Sequence, residues 1–167
     1  MEDLKRVLKD SSIRQIAFVV EDIEEYREKF SKFFGIQATK AVSAGEYSMT
    51  ETVYDGKPAR EAEALLAFLK FSPEFEIELI QPNAAPSIWR DWISEHGEGF
   101  HHIAFHVSNM ERAIDRCENS GISLRQTGYY SDRSGRYAYL DATEQLKCCI
   151  ELLESFEKTE GDNASES

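Results

Sequence analysis

Two stretches of this chain repeat one another, and the repeat limits the possible fold more than any other feature. Residues 13–24 read IRQIAFVVEDIE and residues 100–111 read FHHIAFHVSNME. With Gln15 laid on His102, Ile16-Ala17-Phe18 meets Ile103-Ala104-Phe105, Val20 meets Val107, Asp22 meets Asn109 and Glu24 meets Glu111. A second pair follows in the same order, Ile77-Glu78-Leu79-Ile80 against Ile150-Glu151-Leu152-Leu153. Each half therefore opens on one kind of apolar segment and closes on another. The interval from Gln15 to Glu78 exceeds that from His102 to Glu151 by about 14 residues, so the first half carries an insertion.

Within each half the periodicity predicts the same series of elements. The opening segment is short and β-rich, which makes it a strand. Asp22 or Asn109 follows as a helix cap, with acids in the first turn where they favour the dipole. Apolar spacing then becomes helical, over Ile23, Tyr26, Phe30, Phe33 and Phe34 in one half and Met110, Ala113, Ile114 and Cys117 in the other. Gly35 and Gly121 stand where a C-terminal glycine stops each helix. Strands are expected at 46–54, 62–71 and 75–80, then at 124–129, 136–141 and 148–153. The result is βαβββ twice, an α+β fold whose two modules form a curved mixed sheet. The expected boundaries are an N-terminal extension over 1–11, a first module over 12–83, a linker helix within 84–99, a second module over 100–154 and a disordered acidic tail over 155–167. The linker helix carries Trp89, Trp92 and Ile93 on its apolar face.

Charge narrows the partners. Acids outnumber bases 31 to 19, for a formal charge of −12. Such a surface repels phosphate backbones and anionic headgroups, so neither nucleic acid nor a membrane is the expected partner. No apolar run approaches the roughly 20 residues that a bilayer span needs. Residues 1–6 have neither the apolar stretch of a signal peptide nor the bias of a transit peptide. Three cysteines, with Cys148 and Cys149 adjacent, make a poor disulfide framework. A reducing, cytoplasmic location is expected, with a small-molecule substrate and a homodimeric assembly.

Strand side chains alternate between faces, so parity shows where polar residues point. Ile16, Phe18 and Val20 share one face, as do Ile103, Phe105 and Val107, and that face lies under the helices. The opposite face carries Gln15 in the first half and His102, Ala104 and His106 in the second. In the closing strands Glu78 and Glu151 point away from the apolar side. The repeat thus places Gln15, Glu78, His102 and Glu151 at equivalent points of two equivalent modules. Two carboxylates on the inner face of a sheet are costly unless something compensates them, and a divalent metal would. One imidazole nitrogen and three oxygens suit Zn²⁺, Co²⁺, Ni²⁺, Mn²⁺ or Mg²⁺, with Zn²⁺ the first expectation. His101 reads as a surface or packing neighbour, and Cys149 as a small residue lining the pocket.

These segments resemble the vicinal oxygen chelate superfamily, in which paired βαβββ modules curl around a metal. The resemblance runs from about Ile13 to Glu154. Within it, Gly97-Glu98-Gly99-Phe100-His101-His102-Ile103-Ala104-Phe105 is similar to the segment around the third metal ligand of methylmalonyl-CoA epimerases. Phe75-Glu76-Ile77-Glu78-Leu79-Ile80-Gln81-Pro82 resembles the strand holding their second ligand, and Ile150-Glu151-Leu152-Leu153-Glu154 the one holding their last. The epimerase pattern opens with Asp-His where this chain has Arg14-Gln15. Gln, Glu, His, Glu is the pattern of one branch of glyoxalase I, lactoylglutathione lyase. The same departure counts against extradiol dioxygenases, whose iron site needs two histidines and a carboxylate.

The resemblance implies a carboxylate that takes a proton α to a carbonyl while the metal stabilises the enediolate. By it, Glu151 is a base as well as a ligand. Ala67-Phe68-Leu69 aligns with the strand that follows the second epimerase base, which carries that role onto Glu61, with Glu63 as the fallback. The segment from Tyr129 to Tyr137 offers Arg133 and Arg136 as clamps for a carboxylate or phosphate, against the alternative of an ordinary solvated turn. His106 is a candidate pocket residue on the His102 face. Three functions are thereby opened: an isomerase or epimerase acting on a carbon acid such as an acyl-CoA, a glyoxalase-type lyase acting on a thiol adduct, and a non-catalytic binding or resistance protein. An intact ligand set argues against the last.

Overall fold

How the two repeated strands pair decides the rest of the architecture. The computed structural model describes residues 7–8 and 11–156; the calls on residues 1–6, 9–10 and 157–167 lie outside them. The opening strands are β1 (Ser11–Val19) and β7 (Gly99–Val107), and they run antiparallel at the centre of the sheet. Ile16 faces Ile103, Gln15 faces Ala104 and Ala17 faces His102. Each of these pairs maps onto another under the repeat, so a pseudo-twofold axis passes between Ile16 and Ile103. The closing strands β6 (Phe75–Pro82) and β10 (Cys149–Ser155) flank this pair in parallel, with Ala17 opposite Glu78 and Ala104 opposite Glu151.

The helices follow their predicted caps. Asp22 accepts from the Glu25 amide to start α1 (Ile23–Phe34), which ends at Gly35 in the left-handed region, φ 67°. Asn109 does the same for α4 (Met110–Glu118), accepting from the Arg112 amide. Gly121 (φ 80°) closes the end of this helix, its amide donating to the Glu118 carbonyl and the Ile122 amide to that of Cys117. One apolar cluster joins Ile23, Leu69, Ile77 and Leu79 with Phe18 and Phe30 beneath α1. A second joins Met110, Ala113, Cys117, Leu140 and Leu152 beneath α4.

The insertion does not form the long strand expected at 46–54. After the two-residue β2 (Val42–Ser43), the chain makes the single turn α2 (Tyr47–Thr50), then β3 (Val53–Tyr54) and β4 (Lys57–Pro58). It has left its own module: β3 pairs with β8 (Ser123–Tyr129) of the other half. The remaining strands, β5 (Ala64–Ser72) and β9 (Gly135–Asp141), fall where the periodicity puts them, and a short helix α5 (Thr143–Leu146) precedes β10. The strand order is β2-β5-β6-β1-β7-β10-β9-β8-β3-β4. Laid flat, β2 and β3 would be about 38 Å apart. The connection between them, partly helical, reaches about 25 Å at most. The sheet is therefore curled, with the insertion closing its mouth. Gly45 (φ 112°) permits the crossing, because a Cβ there would lie 2.8 Å from the Ser131 Cβ.

The linker helix α3 (Ile88–His96) fills the trough of the curl. Its Ile88, Trp89, Trp92 and Ile93 pack with Ala17, Val19, Ile80, Tyr139 and Cys149, residues of the concave face. No helix among the described residues is long and apolar enough to cross a membrane.

Candidate metal centre

Two adjacent rows of residues on the concave face build the site. Glu78, Ala17, His102 and Cys149 lie side by side across β6, β1, β7 and β10. Glu76, Gln15, Ala104, Glu151 and Tyr139 form the next row, which extends onto β9. Ala17 and Ala104 are fully buried and too small to occupy the space above them, so the longer side chains lean inward over them. The His102 Nε2 lies 3.0 Å from Glu151 Oε2 and 3.6 Å from Glu78 Oε2. Ligand atoms of the three residues all fall within 4.8 Å of one another. Among the described residues no other group of His, Cys, Asp or Glu converges in this way.

The three facing atoms, Glu78 Oε2, His102 Nε2 and Glu151 Oε2, are buried without a hydrogen-bond partner. Leaving such atoms orphaned costs about 1–3 kcal/mol each, more when charged. Burial, then Glu151 and Glu76 nearby, hold the Glu78 carboxyl well above the usual carboxylate range. A divalent cation bonded to these three atoms would satisfy all of them and remove the repulsion between the acids. One nitrogen and two carboxylates suit Zn²⁺, Co²⁺, Ni²⁺ or Mn²⁺ and leave positions open. Gln15 is also buried, and its Nε2 donates to Glu76 Oε1 at 2.8 Å. Its amide oxygen, the ligand atom expected from the sequence, is the end of the side chain that Glu76 does not engage.

The site has partners beyond the four positions that the repeat marks. Glu76 shares the parity of Glu78, a signal present in the sequence but unused. His101 is fully buried, and its Nδ1 lies 2.9 Å from the Nδ1 of His102. Burial and the adjacent His102 push its imidazole well below the usual histidine range, so it is neutral. Tyr139 stands opposite Glu151 in the β9–β10 ladder, its phenol raised by burial and by Glu151 and Glu78. Tyr130 feels the same two carboxylates. Cys149 stands opposite His102, but burial pushes its thiol up to about 12, which keeps it a neutral lining residue.

The structure brings only some of the expected residues to the cluster. His106 lines a cavity of about 280 Å³ that opens at Gln15 and also touches Arg14, Lys70, Glu76 and Tyr130. Arg133 instead pairs with Glu51 at 2.7 Å and stacks on Tyr129, at the outer turn. Arg136 is on the helix side of β9, tied to Glu154 at 2.6 Å and Glu111 at 2.7 Å, because its parity is opposite to that of Tyr137 and Tyr139. Glu61 lies at the other end of the trough. Ala64 pairs with Pro82, about 13 Å along β6 from Glu78, and Glu61 precedes Ala64 in the turn before β5. It borders a separate cavity of about 430 Å³ with Tyr54, Arg60 and Pro86. The β5 residues facing the cluster row are Leu66 and Phe68, so that wall supplies no carboxylate.

Comparison with known proteins bears on the fold and the family. No curated protein matches the chain. Among solved structures, a hypothetical protein from Bacillus halodurans C-125 is 23% identical with a TM-score of 0.57, covering 91% of this chain and 99% of that one. Methylmalonyl-CoA epimerase from Mycobacterium tuberculosis is 16% identical with a TM-score of 0.60, covering 87% and 88%. A variant of the Streptomyces coelicolor methylmalonyl-CoA epimerase, in complex with 2-nitronate-propionyl-CoA, is 16% identical with a TM-score of 0.60, covering 87% and 97%. At these identities the likeness is one of fold. The family description of the Glyoxalase/Bleomycin resistance protein/Dioxygenase superfamily matches residues 14–139, and the chain belongs to that superfamily.

Proposed function

We propose that the chain is a metal-dependent isomerase or epimerase that removes a proton α to a carbonyl. The convergence of the orphaned ligand atoms of Glu78, His102 and Glu151 on one concave face carries this reading. These residues, with the Gln15 amide oxygen, would hold a divalent cation, Zn²⁺ first and Co²⁺, Ni²⁺ or Mn²⁺ otherwise. When bound, the cation supplies electrostatic stabilisation to the oxygen on which negative charge develops.

The chain's own groups carry the proton chemistry. Glu151 accepts the α proton as the C–H bonding pair moves toward the carbonyl. Glu76, on the other side of Gln15 in the same row, is the carboxylate placed to return a proton, and it takes the role that the alignment gave to Glu61. Return to the opposite side of the same carbon gives epimerisation, and return to the neighbouring atom gives isomerisation. Arg14, Lys70 and His106 line the cavity that Gln15 and Glu76 border, and can meet an anionic substrate. Solved relatives in this fold include methylmalonyl-CoA epimerase in complex with methylmalonyl-CoA, which makes an acyl-CoA the first substrate class to try.

The second reading, a lactoylglutathione lyase-type reaction, is favoured by one feature, the glutamine at position 15 in place of histidine. The two are separated by incubating the metal-loaded protein in deuterated water with methylmalonyl-CoA, then with the hemithioacetal of glutathione and methylglyoxal. Deuterium at the α carbon of the thioester is the expected result. Turnover of the hemithioacetal alone would favour the lyase, and no metal uptake after reconstitution with Zn²⁺, Co²⁺, Ni²⁺ and Mn²⁺ would sink both.

A further inference from the structure

The central strands each carry one bulge, and the two bulges are related by the repeat. Between β1 and β7 the register skips Arg14 on one side and His101 on the other. Arg14 and His101 occupy equivalent positions, immediately before the ligand positions Gln15 and His102. A bulge leaves its extra residue unpaired and re-aims its side chain. This is why His101, outward by alternation, has its ring inside the trough, with Trp92 (5.2 Å between centroids) and Tyr139 (5.8 Å) edge-on to it.

We propose that His101 is a positioning residue for the metal: by accepting the Nδ1–H of His102, it fixes the tautomer that leaves the His102 Nε2 lone pair facing Glu78 and Glu151. The inference rests on the reading that these residues hold a divalent cation. A neutral imidazole has one N–H and one lone pair, so two Nδ1 atoms 2.9 Å apart allow only two arrangements. In the first, His101 donates and His102 carries its proton on Nε2, where it can meet Glu151 but offers no lone pair to a cation. In the second, His102 donates and the His101 proton sits on its Nε2. That nitrogen is buried without a hydrogen-bond partner among the described residues, whereas a proton on the His102 Nε2 would meet Glu151 Oε2 at 3.0 Å. A cation bonded to the His102 Nε2 requires the second arrangement, in which the His101 Nδ1 is the acceptor within reach of the His102 Nδ1–H. His101 thus holds the proposed ligand on β7 in its metal-binding tautomer, as the outer partners of metal-binding histidines commonly do.

Two substitutions and one spectrum test this. His101→Leu removes the acceptor, whereas His101→Asn puts an amide oxygen near the place of Nδ1. Zn²⁺ affinity, measured by competition with a chromophoric chelator, is expected to fall roughly 10–100-fold in the leucine variant and to recover in the asparagine variant. The visible absorption of the Co²⁺-loaded protein is expected to change in the leucine variant alone. Nitrogen-15 shifts of the Zn²⁺-loaded wild type are expected to show His102 protonated on Nδ1 and the His101 Nδ1 unprotonated, and this reading stands even if neither variant folds. A leucine variant with wild-type affinity and Co²⁺ spectrum, or a Zn²⁺-loaded wild type with the His101 Nδ1 protonated, would overturn the proposal. Failure of the wild type to bind Zn²⁺ or Co²⁺ would instead remove the functional reading on which it rests.

Discussion

Ala17 and Ala104 sit between the ligand positions in adjacent rows, both fully buried, and their methyl groups leave the space into which the longer side chains lean. A larger residue there would compete with the cation without disturbing the strand pairing. Ala104→Leu is accordingly expected to cost about 1–3 kcal/mol through overpacking. It should also abolish metal binding, because the new side chain stands between Gln15 and Glu151. Thermal melts and a Zn²⁺ titration of the same preparation check both halves of this statement. The acids differ in the same local way. Glu76→Gln keeps an acceptor for Gln15 but loses the proton carrier, so turnover is expected to fall on the order of a hundredfold with metal retained. Glu61→Gln, at the far end of the trough, should leave the rate within about twofold of wild type, since surface changes away from the site are usually mild. Equal losses in the two variants would show that position along β6 does not decide which acid reacts.

At the scale of elements, α3 and the insertion hold the curl shut. Trp92 is 9% exposed, stacks on His96 with centroids 4.1 Å apart and meets His101 edge-on. Trp92→Ala leaves a cavity behind the ring that supports His102, and about 3–5 kcal/mol of stability should be lost. Urea unfolding of the metal-free protein, in which the ligands no longer contribute, measures this directly. The insertion is locked to α3 and β8 from its own side: Tyr54 donates to Asp91, and Arg125 reaches Asp55 at 2.5 Å and the Tyr54 hydroxyl at 2.9 Å. These elements also mark where the sequence was readable. The repeat marked the proposed ligand positions because alternation and pseudo-symmetry act residue by residue along β1, β6, β7 and β10. It gave the size of the insertion but not its destination, since pairing with β8 depends on contacts about 70 residues away along the chain, such as Arg125 with Asp55. The inward turn of His101 was hidden for a different reason. A bulge breaks the period of two on which parity rests, and no residue in Phe100-His101-His102 announces one.

For the whole molecule, the proposed cation site stands where the two modules meet. Gln15 and Glu78 come from the first module and His102 and Glu151 from the second, so a bound ion ties β1 and β6 to β7 and β10 across the pseudo-twofold axis. In the metal-free protein the same place holds three unpartnered polar atoms, with the Glu78 carboxyl pushed toward its neutral form by burial and by Glu151. Loading therefore stabilises the fold by the full linkage term, because the unfolded chain presents no such arrangement. At a free metal concentration a hundredfold above Kd this is about 2.7 kcal/mol. For a chain of this length it should raise Tm by roughly 5–10 °C. Melting the protein with a chelator and then with Zn²⁺ measures the shift, and Glu78→Gln and Glu151→Gln should each reduce it while leaving the chelator-treated melt little changed or raised. A wild-type Tm indifferent to Zn²⁺, Co²⁺, Ni²⁺ and Mn²⁺ would mean that the orphaned atoms are satisfied in some other way, and the convergence on the concave face would lose its functional meaning.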